Sequence, residues 1–166
     1  ALAGGVDEVV VVLGHDADRV REALRLPDRA RAVVNPRFEA GQSSSLQAGL
    51  EATAPDSEAA VILLADQPGV SPDTIRAVLD AFRQKGARIV RASHGSRPAH
   101  PVLLSRDTWG KVAALEGDVG AREVIAAHPD WVLDVDAAGV APPDVDTPED
   151  YERLLRHPDA KPRPSG

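Results

Sequence analysis

The segment Val61-Ile62-Leu63-Leu64-Ala65-Asp66-Gln67-Pro68-Gly69 decides the fold of this chain. Its apolar run ends in a carboxylate, which a proline and a glycine follow closely. A short apolar run bounded by turn residues is typical of a strand buried on both faces, as in a parallel sheet. In open α/β sheets, ligands bind at the carboxyl ends of the strands. The segment therefore predicts a buried strand over residues 59–65, with Asp66 at a ligand-binding edge.

Strand and helix patterns alternate along the chain on both sides of this segment. Apolar strands are predicted over residues 8–13, 31–35, 59–65, 87–92, 101–104 and 131–135, and helices over residues 17–24, 45–54, 72–85, 106–115, 119–127 and 148–156. The helix over 72–85 has the clearest ends, because Ser71 can cap it, Pro72 suits its first position and Gly86 can end it. Strands that alternate with helices predict an α/β fold with a doubly wound, mostly parallel sheet.

The composition is that of one ordinary globular domain. Hydrophobic residues make up 43% and charged residues 27% of the 166 residues, and neither an internal repeat nor an interdomain linker interrupts them. We assign residues 1–157 to a single domain and residues 158–166 to a flexible tail, which is rich in proline.

Charge and composition exclude several classes of protein. The formal net charge of -7 argues against a general nucleic-acid binder, which normally carries a basic face. The absence of cysteine excludes disulfides, thiolate metal sites and cysteine nucleophiles. No apolar run approaches the roughly 18 residues of a membrane span, and no signal peptide is visible, so we expect a cytoplasmic protein without membrane partners.

The first five residues, Ala1-Leu2-Ala3-Gly4-Gly5, are typical of the last turn of a helix with its glycine stop. A predicted strand follows at Glu8, and the chain contains no methionine, even at position 1. We therefore expect a strand and most of a helix to precede the first residue.

Two carboxylates lie beside predicted helix starts without being needed as caps. Asp66 is a candidate turn residue, but Ser71 already caps the next helix. Pro148 at a first helical position makes Thr147 the cap of the last helix and leaves Asp146 outside it. Carboxylates from two loops can share one hard cation such as Mg²⁺, whose other ligands are waters and substrate phosphates. Metal binding is therefore one interpretation of Asp66 and Asp146, and a structural role at a turn or helix start is the other.

The loop over residues 35–46 follows a strand and opens a helix. Gly41 permits close backbone approach, and Ser43, Ser44 and Ser45 bring hydroxyls and free backbone N–H groups to the helix N-terminus. A ligand site is one interpretation. The other is that one serine caps the helix and the remaining serines fill the loop.

Two cationic or titratable side chains complete the candidate site. His100 lies at the start of an apolar strand, where a lone histidine more often has a structural role than a catalytic one. Arg122 is expected in the first turn of a helix that Asp118 caps, where an arginine opposes the helix dipole. That mismatch favours a partner anion for Arg122.

Five segments, taken in order, resemble the MobA-like nucleotidyltransferase family, and within it the molybdenum cofactor cytidylyltransferases. They are VVVVLGHDAD, NPRFEAGQSSSLQAGL, VILLADQPGVS, RPAHPVLL with GDVGAR, and DVDTPEDYERLL. The resemblance covers roughly residues 5–157. It implies a Rossmann-like α/β fold and the transfer of a nucleotide from an NTP to a phosphorylated acceptor with Mg²⁺.

The resemblance also implies roles for matching residues. Asp66 and Asp146 match the two acidic positions of the metal site. Gly41 and Ser45 fall in the loop that contacts the nucleotide base, and Ser43 and Ser44 lie beside them.

On the acceptor side, His100 matches the histidine of a Gly-His-Pro motif, although Ala99 here replaces the glycine. Arg122 is expected to contact the acceptor as well. The family begins with a strand and a glycine-rich loop that carries Arg and Lys and wraps the triphosphate. Nothing in this chain matches that loop, so the resemblance implies a fold that lacks its first strand and loop here.

The resulting expectation is an enzyme that transfers CMP from CTP to the phosphate of molybdopterin and releases pyrophosphate. Its expected partners are CTP or GTP, a phosphorylated pterin, and a molybdoenzyme that receives the product. A guanylyltransferase or a sugar-nucleotide transferase on the same fold is the nearest alternative. A non-catalytic module that binds molybdopterin is the alternative of another class, which the unmatched triphosphate loop favours.

Overall fold

A computed structural model describes residues 1–137 and 142–156. The predicted tail over 158–166 lies outside the described residues. The strands are β1 (Val9–Leu13), β2 (Ala30–Val34), β3 (Ala59–Ile62), β4 (Ile89–His94), β5 (Arg97–Ser105) and β6 (Val132–Asp136). The α-helices are α1 (Ala17–Ala23), α2 (Gln42–Glu51), α3 (Pro72–Lys85), α4 (Trp109–Ala113), α5 (Ala121–Ala127) and α6 (Pro148–Arg156). No helix among these residues is long and apolar enough to cross a membrane.

The strands form two sheets rather than the one mostly parallel sheet that was predicted. β1 and β2 pair in parallel, and the other four strands follow the order β3-β5-β4-β6. Within the second sheet β5 is antiparallel to both β3 and β4, whereas β6 is parallel to β4. The architecture is therefore α/β with mixed strand directions.

A tight hairpin explains the antiparallel strand. β4 and β5 are joined by only Gly95 and Ser96, and Gly95 adopts a left-handed φ of 62°. A two-residue turn returns the chain beside the strand it has just left, whereas a parallel partner needs a long crossover. The strand predicted over residues 101–104 therefore begins four residues earlier in the structure, at Arg97.

The strand predicted over residues 59–65 is shorter in the structure. β3 ends at Ile62, which pairs with Val102 of the antiparallel β5. The next position along the ladder faces Pro101, which has no N–H to donate. The chain therefore leaves the sheet before Asp66, which lies in a turn beyond the strand.

Helices cover both faces of the four-stranded sheet, as expected for a doubly wound fold. Side chains of β4 alternate between two clusters, with Ile89 in one and Val90 in the other, and both are fully buried. Val78 of α3 belongs to the second cluster, whereas Val112 of α4 and Val124 of α5 belong to the first. The sheet thus has two apolar cores, one against each helical layer.

Candidate functional site

The loop after β3 presents Asp66 to solvent. Its backbone is held as a turn by hydrogen bonds from Gln67 N to Leu64 O at 3.3 Å and from Val70 N to Gln67 O at 3.4 Å. Ser71 caps α3 as predicted, because its hydroxyl accepts a hydrogen bond from Thr74 N at 3.1 Å. Within the described residues, no hydrogen bond or salt bridge engages the Asp66 carboxylate, which is therefore available to a ligand.

The chain segment that precedes α6 lies against this loop. Val145 N donates to Asp66 O at 2.8 Å. Asp146 is the next residue, and its carboxylate also has no partner within residues 1–137 and 142–156. The structure thus brings the segments of Asp66 and Asp146 together, although they are far apart in sequence. Their roles as metal ligands stay a prediction.

The helix cap next to Asp146 is the one predicted. Thr147 Oγ1 accepts from Asp150 N at 3.2 Å, and Asp150 Oδ2 accepts from Thr147 N at 3.1 Å and from Thr147 Oγ1 at 2.7 Å. This reciprocal pair is a capping box. The hydrogen bond from the Thr147 side chain is the largest cause that lowers the pKa of the Asp150 carboxyl. Capping therefore uses Thr147 and Asp150 and leaves Asp146 free of that role.

His100 of β5 lies beside the Asp66 loop. Its Nδ1 is 3.4 Å from the carbonyl oxygen of Ile62, and the side chain is largely buried. Burial lowers the pKa of the imidazole, while the Ile62 carbonyl and the charges of Asp66 and Asp144 act in the opposite direction. When the imidazole is neutral and carries its proton on Nδ1, it donates to Ile62 O and keeps Nε2 as an acceptor.

The glycine of the loop before α2 is required by a close backbone contact. Gly41 has a φ of 99°, and a Cβ atom at this position would overlap the backbone of Gly117. Asp118 Oδ1 accepts from Gln42 N at 3.3 Å, and Gly117 O accepts from Ser43 N at 3.2 Å. The loop over residues 117–118 therefore covers the N-terminus of α2.

This contact corrects two expectations. The helix begins at Gln42, three residues before the predicted start, and its first N–H groups are already bonded rather than free. Asp118 does not cap α5, whose N-cap is Gly120, because its carboxylate bonds to α2 instead. The side chain that was expected to begin one helix thus closes the start of another.

The three serines of α2 differ in exposure. Ser43 and Ser44 are buried at 2% and 3% exposure. Ser43 Oγ donates to Gly117 O, and Ser44 Oγ contacts Arg37 O and Gly41 O, each at 2.8 Å. Ser45 is the partly exposed member, which accepts from Asn35 Nδ2 at 3.1 Å. The first two hydroxyls hold the loop, and the third faces a groove.

That groove has a volume of about 1280 Å³ and lies between β1 and β3. We call it the β1–β3 groove. Its walls are residues 9–12 of β1 and residues 59–65. Polar and charged side chains from three other elements line it as well, namely Gln42 and Ser45 of α2, His100 of β5 and Arg122 of α5. Three of the predicted site residues therefore line one groove, at the end of which the chain continues into Asp66.

The donor chemistry of the site suits a hard cation. Among the described residues, no three His, Asp or Glu side chains are grouped closely enough to hold a metal ion. Mg²⁺ bound with a nucleotide needs less, because one or two carboxylates suffice when phosphates and waters supply the other ligands. Two exposed carboxylates on adjacent segments fit that requirement.

Two further residues, Gln67 and Asp144, were not among the predicted site residues. Gln67 Nε2 donates to Asp144 Oδ1 at 2.7 Å, which joins the two segments that carry the candidate ligands. Asp144 precedes Asp146 by two residues, and Gln67 follows Asp66 directly. Their pairing has no local signal, because 77 positions separate them in the chain.

A family model and a curated relative both match most of this chain. The model of the family described as "MobA-like NTP transferase domain" matches residues 1–132. The nicotine blue oxidoreductase of Paenarthrobacter nicotinovorans is 35% identical over 164 residues, which cover 93% of this chain and 78% of that protein.

Solved structures match as well. A crystal structure of Rv0371c from Mycobacterium tuberculosis H37Rv has a TM-score of 0.79 and 32% identity, covering 93% of this chain and 78% of its own. The manganese complex of Rv0371c has a TM-score of 0.76 at the same identity, covering 93% and 81%. A 4-diphosphocytidyl-2C-methyl-D-erythritol synthase from Anaerococcus prevotii has a TM-score of 0.76 at 16% identity, covering 96% and 84%, which bears on the fold alone.

Proposed function

Because the chain belongs to the MobA-like NTP transferase family and shares a nucleotidyltransferase fold, we propose that it transfers CMP from CTP to the terminal phosphate of molybdopterin. The adjacency of the Asp66 and Asp146 segments, beside a groove that Ser45, His100 and Arg122 line, is the observation that supports this proposal most directly.

The reaction needs no nucleophile from the protein. A terminal phosphate oxygen of the acceptor attacks the α-phosphorus of CTP and forms a new P–O bond. The bond from the α-phosphorus to the bridging oxygen breaks, and pyrophosphate leaves with that electron pair. The work of the protein is to position the two substrates and to balance their charge.

The side chains divide this work. Asp66 and Asp146 would hold a divalent cation, which neutralises phosphate charge when bound. A manganese complex of the related Rv0371c supports a divalent cation here, and Mg²⁺ is the ion we propose. The Arg122 guanidinium would contact phosphate oxygens, for which its planar fork is suited. His100, whose imidazole pKa is lowered by burial, would act as a hydrogen-bond partner.

The β1–β3 groove supports the expectation of a further strand in the complete fold. Both of its long walls are strands, and within the described residues neither pairs with another strand on the side that faces the groove. We propose that one more strand lies there and joins the two sheets, followed by a glycine-rich loop at the triphosphate. Such a strand would also place that loop opposite Asp66.

The direct test mixes the protein with molybdopterin, Mg²⁺ and CTP and follows both pyrophosphate and the dinucleotide product. Competition with GTP measures base preference, and replacement of the pterin by a sugar 1-phosphate measures acceptor preference. Product formation only with GTP, or only with the sugar, would replace the proposed substrate by the corresponding alternative. Binding of molybdopterin without any binding of CTP would instead support a non-catalytic module.

Replacing Asp66 by asparagine keeps the shape of the side chain and removes its charge. We expect turnover to fall by at least about 100-fold, in the range seen when a charge-stabilising group is removed, while the fold is retained. The exposed Asp28→Asn is the matched control and should keep full activity. Pyrophosphate release at the unchanged rate in Asp66→Asn would contradict the metal assignment.

The 35% identity to nicotine blue oxidoreductase favours a second candidate, the redox chemistry of an aromatic heterocycle. Such a reaction needs a hydride donor such as a nicotinamide cofactor. The family model that matches residues 1–132 is that of an NTP transferase domain, and this match favours nucleotidyl transfer. Oxidation of NADH or NADPH in the presence of a heterocyclic dye, without pyrophosphate release, would establish the second candidate.

A further inference from the structure

Two chain segments run side by side at the candidate metal site. Gly69 lies so close to Pro142 that an added Cβ atom would be 2.9 Å from the proline Cβ. Gln67 bonds to Asp144, and the carbonyl of Asp66 accepts from the amide of the following residue, Val145. The partners thus occur in opposite orders along the two segments, as in an antiparallel pair. Asp146 is the next residue after this run of contacts.

The Asp146 side of the pair depends on these contacts. Residues 142–146 belong to neither a helix nor a strand, so no regular hydrogen-bond ladder fixes them. The segment that contains Asp66 is better fixed, because two backbone hydrogen bonds hold the turn around Gln67. Gln67 is also half-buried, which restricts its side chain. A fixed loop therefore holds a segment that lacks regular structure.

We propose that the hydrogen bond from Gln67 to Asp144 is a positioning contact, which sets the spacing of Asp66 and Asp146 for a divalent cation. The inference rests on the proposed metal site. With only the backbone hydrogen bond at Asp66, the second segment could rotate about that one contact. The side-chain hydrogen bond one residue further along restricts this rotation. Gln67 thereby acts through the segment it holds and contacts neither the cation nor the base.

The same hydrogen bond gives the Asp144 carboxylate a role that differs from those proposed for Asp66 and Asp146. Its carboxylate is engaged by an amide donor at 2.7 Å, whereas those of Asp66 and Asp146 have no partner in the described part of the chain. Contacts that orient ligands without touching the metal typically change metal affinity by about 10–100-fold when they are removed. The positioning role therefore predicts a measurable effect without any turnover.

The test measures Mn²⁺ binding to the chain from the electron paramagnetic resonance signal of the free ion. Gln67→Leu removes the donor at nearly constant volume and charge, and we expect the dissociation constant for Mn²⁺ to rise about tenfold, with an unchanged melting temperature. Gln84→Leu, an exposed glutamine of α3, is the matched control and should bind as the parent does.

Asp144→Asn separates positioning from direct ligation. Its amide oxygen still accepts from Gln67, so we expect nearly full Mn²⁺ affinity, whereas a lost ligand would weaken binding as much as Asp66→Asn does. Parent-like binding by Gln67→Leu, or a loss in Asp144→Asn equal to that in Asp66→Asn, would overturn the positioning role alone. Unchanged Mn²⁺ binding in Asp66→Asn would overturn the metal site itself.

Discussion

At the scale of single residues, Gly41 is a position of the candidate site that should not tolerate substitution. Its positive φ and its contact with the backbone of Gly117 are independent constraints, and both exclude a side chain. The contact joins the start of α2 to the loop that carries Asp118, and so it also sets the position of Ser45. A substitution here should affect stability and the groove together.

Gly41→Ala should lower the free energy of unfolding by at least about 2 kcal/mol. Left-handed backbone costs about 1–2 kcal/mol for a non-glycine residue, and overpacking typically adds 1–3 kcal/mol. Chemical denaturation measures the change. Gly110→Ala is the control, because nothing lies within 4 Å of its added Cβ and alanine favours a helix, so its stability should be equal or higher. A parent-like midpoint for Gly41→Ala would contradict the close contact.

At the scale of elements, α3 shows how local signals alone can fix a helix. Its bounds match the prediction at both ends, with Ser71 as the N-cap and Gly86 in the left-handed region at a φ of 62°. The helix also packs on one face of the four-stranded sheet through Val78, which is fully buried in the apolar cluster on that face. Its cap therefore contributes to the position of the loop that carries Asp66.

Ser71→Ala should destabilise the protein by about 1 kcal/mol, because the N–H of Thr74 loses its acceptor at a helix end. The thermal midpoint measured by circular dichroism would fall by a few degrees. Ser96→Ala in the exposed hairpin turn is the comparison that should leave the midpoint unchanged. Equal midpoints for the two variants would show that the cap contributes nothing to stability.

Elements whose ends depend on distant partners were predicted less well. β3 was extended by three residues because its apolar run continues, and the sequence does not indicate that Pro101 of the neighbouring strand ends the ladder. The hairpin of β4 and β5 was missed because its polar turn residues do not reveal which strand pairs with which. The freedom of Asp66 and Asp146 from capping was predictable because caps are local. The bond between Gln67 and Asp144 joins positions too far apart in sequence for any pattern to indicate.

At the scale of the whole molecule, the two sheets differ in how well they are supported. The four-stranded sheet has apolar cores against both faces. The strands β1 and β2 form a two-stranded sheet whose residues are mostly only partly buried. Isolated two-stranded sheets are marginally stable, so β1 and β2 should open without global unfolding.

Hydrogen exchange should therefore separate the two sheets. We expect the amides of β1 and β2 to exchange at least about tenfold faster than those of β4 and β5, because local opening costs less free energy than global unfolding. Peptide-level exchange followed by mass spectrometry measures both sets in one sample. Protection of β1 equal to that of β4 would contradict the difference in support and indicate one cooperative unit.

The strand edges of the β1–β3 groove, which are unpaired within the described residues, should affect how the chain behaves at high concentration. A strand edge with unpaired N–H and C=O groups is a template for pairing with another polypeptide, and apolar side chains beside it strengthen that attraction. The walls of the groove are built largely from valine, alanine, isoleucine and leucine. We therefore expect the apparent molar mass of the 166-residue chain, measured by light scattering, to rise with concentration. Neighbouring copies would add strands to each other, which is a first step toward insoluble aggregates.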